Sequence, residues 1–343
     1  MSNTVQSLLR GLRLPVFVGL AFPVVLYTQI QVLAGPTRLT VAYSAVTGAQ
    51  ALPWIGKDAG IFEKYGFDVQ LVYIPGSAAQ ISTLISGDVQ FSQATGPAVV
   101  YAHLAGTDVV FLTGNMKTFT WNLMAGPEIK KMQDLKGKVL GITRFGSATD
   151  FAARFVLEKF KLDPQKDVKI IQAGGMQEIV SGLIGQKFDA GLLSSPQHLT
   201  ATDHGFHILL SLPDLNIPYQ GNGLTTTRSF IAKNENLVRD FLKSYLAAVQ
   251  YYKTNSHGTM RILGKYTKTK DARILEETYQ FYNRLLDRIP YPTLDGIQMI
   301  LTMASRTNVL AKTKRPEDFV DERFLKDLEQ SGFVDRLYGA RQP

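Results

Sequence analysis

Asp134-Leu135-Lys136-Gly137-Lys138-Val139-Leu140-Gly141-Ile142-Thr143-Arg144-Phe145-Gly146-Ser147-Ala148-Thr149-Asp150 is the stretch that decides the fold. It passes from a polar turn into an apolar run of strand length, Val139 to Thr143, and then into a Gly-Ser turn. A helical pattern follows through Phe151, Phe155, Leu157 and Phe160. Leu162-Asp163-Pro164 stops that helix, because proline lacks the N–H a helix needs and biases its predecessor away from helical geometry. Val168-Lys169-Ile170-Ile171 is a second strand, closed by Gly174-Gly175. The stretch therefore reads as one β-α-β unit. Ser147 is placed to cap its helix, with Asp150 three residues on in capping-box spacing. Such a turn also leaves backbone N–H groups free at the helix start, a favourable place for an anion or a polar ligand head.

The chain carries this unit twice. Residues 67–97 overlay residues 166–196 without gaps at an offset of 99. Asp68-Val69 falls on Asp167-Val168, Gly76 on Gly175, Ser82 on Ser181, Leu84-Ile85 on Leu183-Ile184, and Pro97 on Pro196. These identities punctuate matching elements: strand, glycine turn, helix, strand, proline. Upstream, Leu39 to Tyr43 is a strand, Gln50 to Tyr65 reads as a helix, and Val89 to Ser92 and Val109 to Leu112 read as strands. Helices alternating with short apolar strands imply an α/β fold whose mainly parallel sheets are flanked by helices. Two such halves predict a cleft between them, with ligand bound outside the carboxyl ends of the strands.

Two crossings between the halves are expected. Phe119 to Ala125 is a strand leading to Gly126-Pro127, and Tyr219 to Gly223 is the return. The expected organisation is one lobe of 35–125 with 221–343 and a second of 126–220, closing about a hinge. After Phe230 the pattern is mostly helical, and Tyr245, Tyr252, Tyr279 and Tyr282 recur at helical spacing as packing residues.

Composition excludes several chemistries. The 343 residues are 45% hydrophobic, which is ordinary for a soluble globular chain, and the net charge of +8 is spread without the dense runs of a nucleic-acid binder. No cysteine is present, which removes disulfides, thiol catalysis and thiolate metal sites. The five histidines are scattered, and His204 and His207 lack accompanying carboxylates, so neither a metal nor a cofactor is expected. Residues 1–34 read as a signal peptide: Arg10 and Arg13 precede an uncharged stretch centred on 14–22, and Val32-Leu33-Ala34 offers a small-residue cleavage site. The competing reading is an uncleaved membrane anchor, since 14–37 carries no charge, although Pro15, Pro23, Gln29 and Gln31 oppose it.

Trp54-Ile55-Gly56-Lys57-Asp58-Ala59-Gly60-Ile61-Phe62 with Gly66-Phe67-Asp68-Val69 resembles the opening helix and strand of the solute-binding proteins of ABC importers. The branch is the one with nitrate-, alkanesulfonate-, taurine- and thiamine-pyrimidine-binding members. Asp134 to Lys138, Gly146-Ser147, Leu162-Asp163-Pro164, Asp167-Val168 and Phe188-Asp189-Ala190 running to Pro196 are similar to the second-lobe pattern of the same branch. The resemblance covers about 38–320 and implies a two-lobe, type II periplasmic-binding fold. It further implies a periplasmic, monomeric protein that hands a small solute to an ABC permease and its ATPase. Carried over turn by turn, the resemblance places Thr47, Gln50, Ser77 and Thr95 of the first lobe at the site. Ser147, Thr149 and Ser195 would come from the second lobe, with Trp121 near the hinge. Arg144 is a departure on a cleft-side turn, where a guanidinium would grip a carboxylate or sulfonate. With three glycine turns also opening helices toward the cleft, an anionic ligand is expected. Pyrimidine-precursor and menaquinone-pathway enzymes share the fold, but catalysis needs a nucleophile, base or metal that the lobe-facing turns lack. A periplasmic sensory receptor is the other alternative.

Overall fold

The computed structural model describes residues 35–339, so the expected signal peptide lies outside the described residues. Ten strands and their helices follow the repeat read above. In the first half, β1 (Thr37–Tyr43) leads to α1 (Ala51–Asp58) and α2 (Ile61–Lys64), then β2 (Phe67–Tyr73), α3 (Ser77–Ser86), β3 (Phe91–Thr95), α4 (Gly96–Leu104) and β4 (Val109–Phe111). The helix expected over Gln50 to Tyr65 is thus two helices, because Gly60 takes a left-handed φ of 68° and breaks it. The strand expected over 89–92 starts two residues later, at Phe91.

The chain then enters β5 (Asn122–Ala125), β6 (Val139–Ile142), α5 (Ala148–Lys159), β7 (Lys169–Gln172), α6 (Met176–Ile184), β8 (Ala190–Leu193), α7 (Gln197–Asp203) and β9 (His207–Ser211). It returns as β10 (Asn222–Thr227) and ends in α8 (Arg228–Lys233), α9 (Glu235–Thr254), α10 (Ser256–Thr267), α11 (Ala272–Leu285), α12 (Leu294–Ala304), α13 (Arg323–Gln330) and α14 (Phe333–Leu337).

Two five-stranded sheets result, ordered β2-β1-β3-β10-β4 and β7-β6-β8-β5-β9. In the first, β1 runs parallel to β2 and β3, while β10 is antiparallel to β3 and β4. The second repeats the plan: β6 is parallel to β7 and β8, and β5 is antiparallel to β8 and β9. Each half therefore receives its antiparallel strand from the crossing chain. Asn122 to Ala125 was expected to close the first lobe, yet it pairs within the second sheet, Asn122 with Leu193 and Ala125 with Ala190. The crossing lies ahead of Asn122, because an exchanged strand is recognised by its pairing partner and not by its local pattern.

One face of the first sheet packs on α1 and α9, where Phe91 stacks on Phe241 at 4.2 Å and Phe62 on Phe241 at 5.3 Å. Tyr245, Tyr252, Tyr279 and Tyr282 are buried in or beside this core, as their spacing implied. The other face continues into the core of the second half through the crossing segments, where Phe119 stacks on Tyr219 at 4.2 Å and Trp121 meets Tyr219 edge-on.

Two of the helix-borne histidines are perturbed by burial. Burial pushes both His103, on α4, and His198, on α7, below the ordinary value of 6.5, because desolvation disfavours the imidazolium. Between the folded and unfolded pKa values the unfolded chain binds more protons, so stability rises with pH there. We expect unfolding free energy to be steady above about pH 6.5 and to fall as the pH drops through the folded values. Urea titrations at pH 7.5 and pH 5.5 check this. A smaller loss in His103→Gln/His198→Gln is the expected outcome, and an unaltered loss assigns the effect to carboxylates.

Candidate functional site

The site is built at the carboxyl ends of β1, β3, β6 and β8, where the two sheets face one another. There a small cavity of about 50 Å³ is lined by residues of both halves, among them Ser44, Thr47, Gln50, Ser77, Thr95, Thr143, Ser147, Thr149 and Ser194. Met116, Thr120, Trp121, Gly221 and Asn222 join from the two crossings. The lining follows the internal repeat. Ser44 and Thr143, Ala49 and Ala148, Gln50 and Thr149, Ser77 and Met176, and Thr95 and Ser194 are pairs of lining residues one repeat offset apart.

Of the nine expected site residues, the structure brings Thr47, Gln50, Ser77, Thr95, Trp121, Ser147 and Thr149 to the cavity. Ser195 is not among them. Its hydroxyl bonds Thr278 on α11 at 2.9 Å, and its neighbour Ser194 takes the lining position. Ser194 is the repeat mate of Thr95, so the offset that revealed the two halves also points to it. Ser44 and Thr143, another pair of mates just past strand ends, were not among the expected residues, and the same offset links them. Arg144 also stands outside the lining. It spans the mouth, and its Nε donates to the Pro75 carbonyl at 2.6 Å.

Most of the lining polar groups already have partners. Gln50 donates through Nε2 to Ser44 Oγ at 3.2 Å, and Ser77 Oγ donates to the same oxygen at 3.0 Å. Thr149 Oγ1 accepts the Thr143 N–H at 2.9 Å and bonds the Thr143 hydroxyl at 2.7 Å. Asn222 donates to the Ala49 carbonyl and to Gln93 Oε1, each at 2.7 Å. These bonds fix the walls.

Thr95 Oγ1 and Ser147 Oγ differ: both are buried, and neither has a protein partner. Each residue is the N-cap of its helix, α4 and α5, yet neither side chain makes a capping bond. The expected capping box at α5 is therefore absent in form. Asp150 instead accepts the Gly146 N–H at 2.9 Å and holds Arg154 Nε at 2.8 Å, which leaves Ser147 Oγ free. A buried hydroxyl without a partner costs about 1–3 kcal/mol, so an unpartnered oxygen from each half, in one cavity, marks a place for something with hydrogen-bonding capacity.

The electrostatics are simple. Among the described residues, no charged side chain lines the cavity. The starts of α3 and α5 face it through Ser77 and Ser147 to Thr149, and first-turn N–H groups have no intrahelical acceptor. Their partial positive charge favours an anionic or strongly polar head. Met116, Trp121, Ala148 and Met176 give the remaining wall an apolar character. No group of His, Asp or Glu residues that could hold a metal occurs among the described residues.

Two sheets of one strand order, exchanging one strand each and enclosing a cavity at their strand ends, define a two-lobe periplasmic-binding fold, and solved structures agree. The chain superposes on the periplasmic nitrate-binding protein NrtA of Synechocystis PCC 6803 with a TM-score of 0.72 and 15% identity, covering 86% of this chain and 89% of that one. The alkanesulfonate-binding protein SsuA of Xanthomonas axonopodis pv. citri, bound to MOPS, gives a TM-score of 0.70 at 15% identity, covering 84% and 99%. The chain belongs to the NMT1/THI5-like family, whose model matches residues 52–257. By sequence it is 24% identical over 298 residues to YtlA of Bacillus subtilis (strain 168), a provisionally named binding protein, covering 80% of this chain and 85% of YtlA. The resemblance read from the sequence is thereby borne out.

Proposed function

We propose that this chain is the extracytoplasmic solute-binding component of an ABC importer. It captures a small anionic solute between its lobes and delivers it to a membrane permease and its ATPase. The observation that carries this reading is the pair of unpartnered buried hydroxyls, Thr95 Oγ1 and Ser147 Oγ, contributed by opposite halves to one cavity. A solute that accepts from both gains affinity for the closed arrangement alone, and differential affinity is what shifts an open–closed equilibrium. The anionic preference is supported by helix starts that face the cavity without a carboxylate in its lining. The names of SsuA and NrtA, a sulfonate- and a nitrate-binding protein, point the same way.

A binding role is also favoured over catalysis. The lining holds no histidine, carboxylate or lysine, so a general base or a nucleophile stronger than a neutral hydroxyl is missing from it. Export is supported by the basic and apolar order of residues 1–34, and among the described residues no helix is long and apolar enough to cross a membrane. Hinge motion would move about 126–220 together with the exchanged strand β5 against the remainder.

A thermal-shift screen of inorganic anions, sulfonates, aromatic acids and pyrimidines tests the reading. A bound solute at one hundred times its dissociation constant stabilises the fold by about 2.7 kcal/mol, so at least one anionic hit should raise the melting temperature by several degrees. A hit confined to neutral pyrimidines refutes the anionic preference, and the absence of any hit counts against a free small solute.

A further inference from the structure

Gly76 and Gly175 occupy the same place in the two halves, one repeat offset apart, each just ahead of a helix at the rim of the cleft. Each receives a side chain from the opposite half. A Cβ built on Gly76 would lie 2.7 Å from Arg144 Cδ and 3.0 Å from Ser147 Oγ, both in the second half. A Cβ on Gly175 would lie 2.5 Å from Glu178 Oε2, on its own helix, and 3.0 Å from the Tyr73 hydroxyl, in the first half. The contacts with Arg144 and Tyr73 are tighter than ordinary van der Waals separation allows, so the missing side chains are what lets the two rims meet. Arg144 then completes its crossing with the 2.6 Å bond from Nε to the Pro75 carbonyl, the residue before Gly76. Tyr73 is braced on its own side by stacking on Tyr43 at 5.4 Å.

We propose that Gly76 and Gly175 are paired seats of a clasp across the cleft mouth, filled by Arg144 and Tyr73 from the facing half. The clasp sets the ratio of closed to open protein, and its Arg144, Tyr73 and Gly175 stand outside the cavity lining, which only its Gly76 joins. It rests on the two-lobe solute-binding reading above, and it gives Arg144 a task other than the anion grip expected from its position in the sequence. The repeat mate of Arg144 is Ala45, which has no reach, so the guanidinium half of the clasp belongs to the second half alone.

Spin-label distance measurement on the full chain without added solute tests the clasp. The chain contains no cysteine, so Ser82→Cys and Ser181→Cys, exposed repeat mates on α3 and α6, give two unique labels. The labelled parent should show a short-distance, closed component. Arg144→Ala and Tyr73→Ala should each lower its closed-to-open ratio about fivefold, the scale of one modest polar or packing contact. Gly175 is the better seat to fill, because its φ of −148° suits any residue, whereas Gly76 has a φ of 78° and would be strained by a side chain in any case. In a Glu178→Ala background, which frees the new methyl from the carboxylate of its own helix, Gly175→Ala should produce a similar loss, and adding Tyr73→Phe should restore the ratio to within about twofold of that background, since the oxygen from the facing half is gone. Thermal unfolding run in parallel shows whether each variant is folded. A parent without a closed component, an unchanged ratio in Arg144→Ala, or, in the Glu178→Ala background, a Gly175→Ala change that leaves the ratio unaltered or that Tyr73→Phe fails to reverse, overturns the clasp. Because no solute enters the experiment, a failed solute screen leaves its result standing.

Discussion

Thr95→Val/Ser147→Ala is expected to unfold at a higher free energy than the parent in the absence of solute and to bind solute roughly thirty- to hundredfold more weakly. The two effects have one cause. Thr95 Oγ1 and Ser147 Oγ are buried without partners, so replacing them with apolar groups of similar shape removes a desolvation penalty of about 1 kcal/mol each. An N-cap serine would ordinarily cost about 1 kcal/mol when changed to alanine, but the Ser147 side chain makes no capping bond to lose. In the complex each hydroxyl would donate to the solute, and two hydrogen bonds of about 1–1.5 kcal/mol give the stated loss in affinity. Urea denaturation and calorimetry on the same preparations check both halves. Lower stability with intact binding would show that the hydroxyls are structural.

Gly223→Ala should be the most damaging single methyl in the exchanged strand β10. A Cβ there would stand only 1.9 Å from the Thr113 carbonyl oxygen and 2.9 Å from Phe111 Cδ1. The carbonyl is backbone and cannot rotate away, and the strand is fixed on both sides, Gly223 opposite Ala94 and Thr225 opposite Phe111. Overpacking of this kind costs about 1–3 kcal/mol and more when the backbone must move, so a loss of about 3 kcal/mol is expected. Gly87→Ala is the control: its φ of 85° brings strain, but no atom stands within contact distance of the added methyl. Denaturant midpoints should fall clearly further for Gly223→Ala, and equal losses would show that the strand shifts to make room.

The halves were legible because the β-α-β unit is local and occurs twice. Its strand, glycine turn and helix are each specified within a few residues, and the offset that aligns Asp68-Val69 with Asp167-Val168 also aligns the lining pairs. Pairing across the sheets was not legible. Asn122 to Ala125 reads as a strand, but its membership of the second sheet depends on partners nearly seventy residues away in β8. Side-chain direction was the other gap. Ser147 looked like a cap and is free, since Asp150 reaches the Gly146 N–H instead, a choice of rotamer that no spacing rule fixes. Arg144 looked like a ligand group and crosses the mouth, because Gly76 on the facing half has no side chain to stop it. A contact within one turn decides the first outcome and a contact between halves the second, and both exist only in the folded chain.

Small-angle scattering on residues 35–343, with and without a solute taken from the thermal-shift screen, tests the central claim most directly. Capture between two lobes predicts a smaller radius of gyration at saturation, with calorimetry giving one solute per chain. Saturated binding with an unchanged radius would contradict it, since the solute would then sit on one lobe and Thr95 and Ser147 would not meet across it.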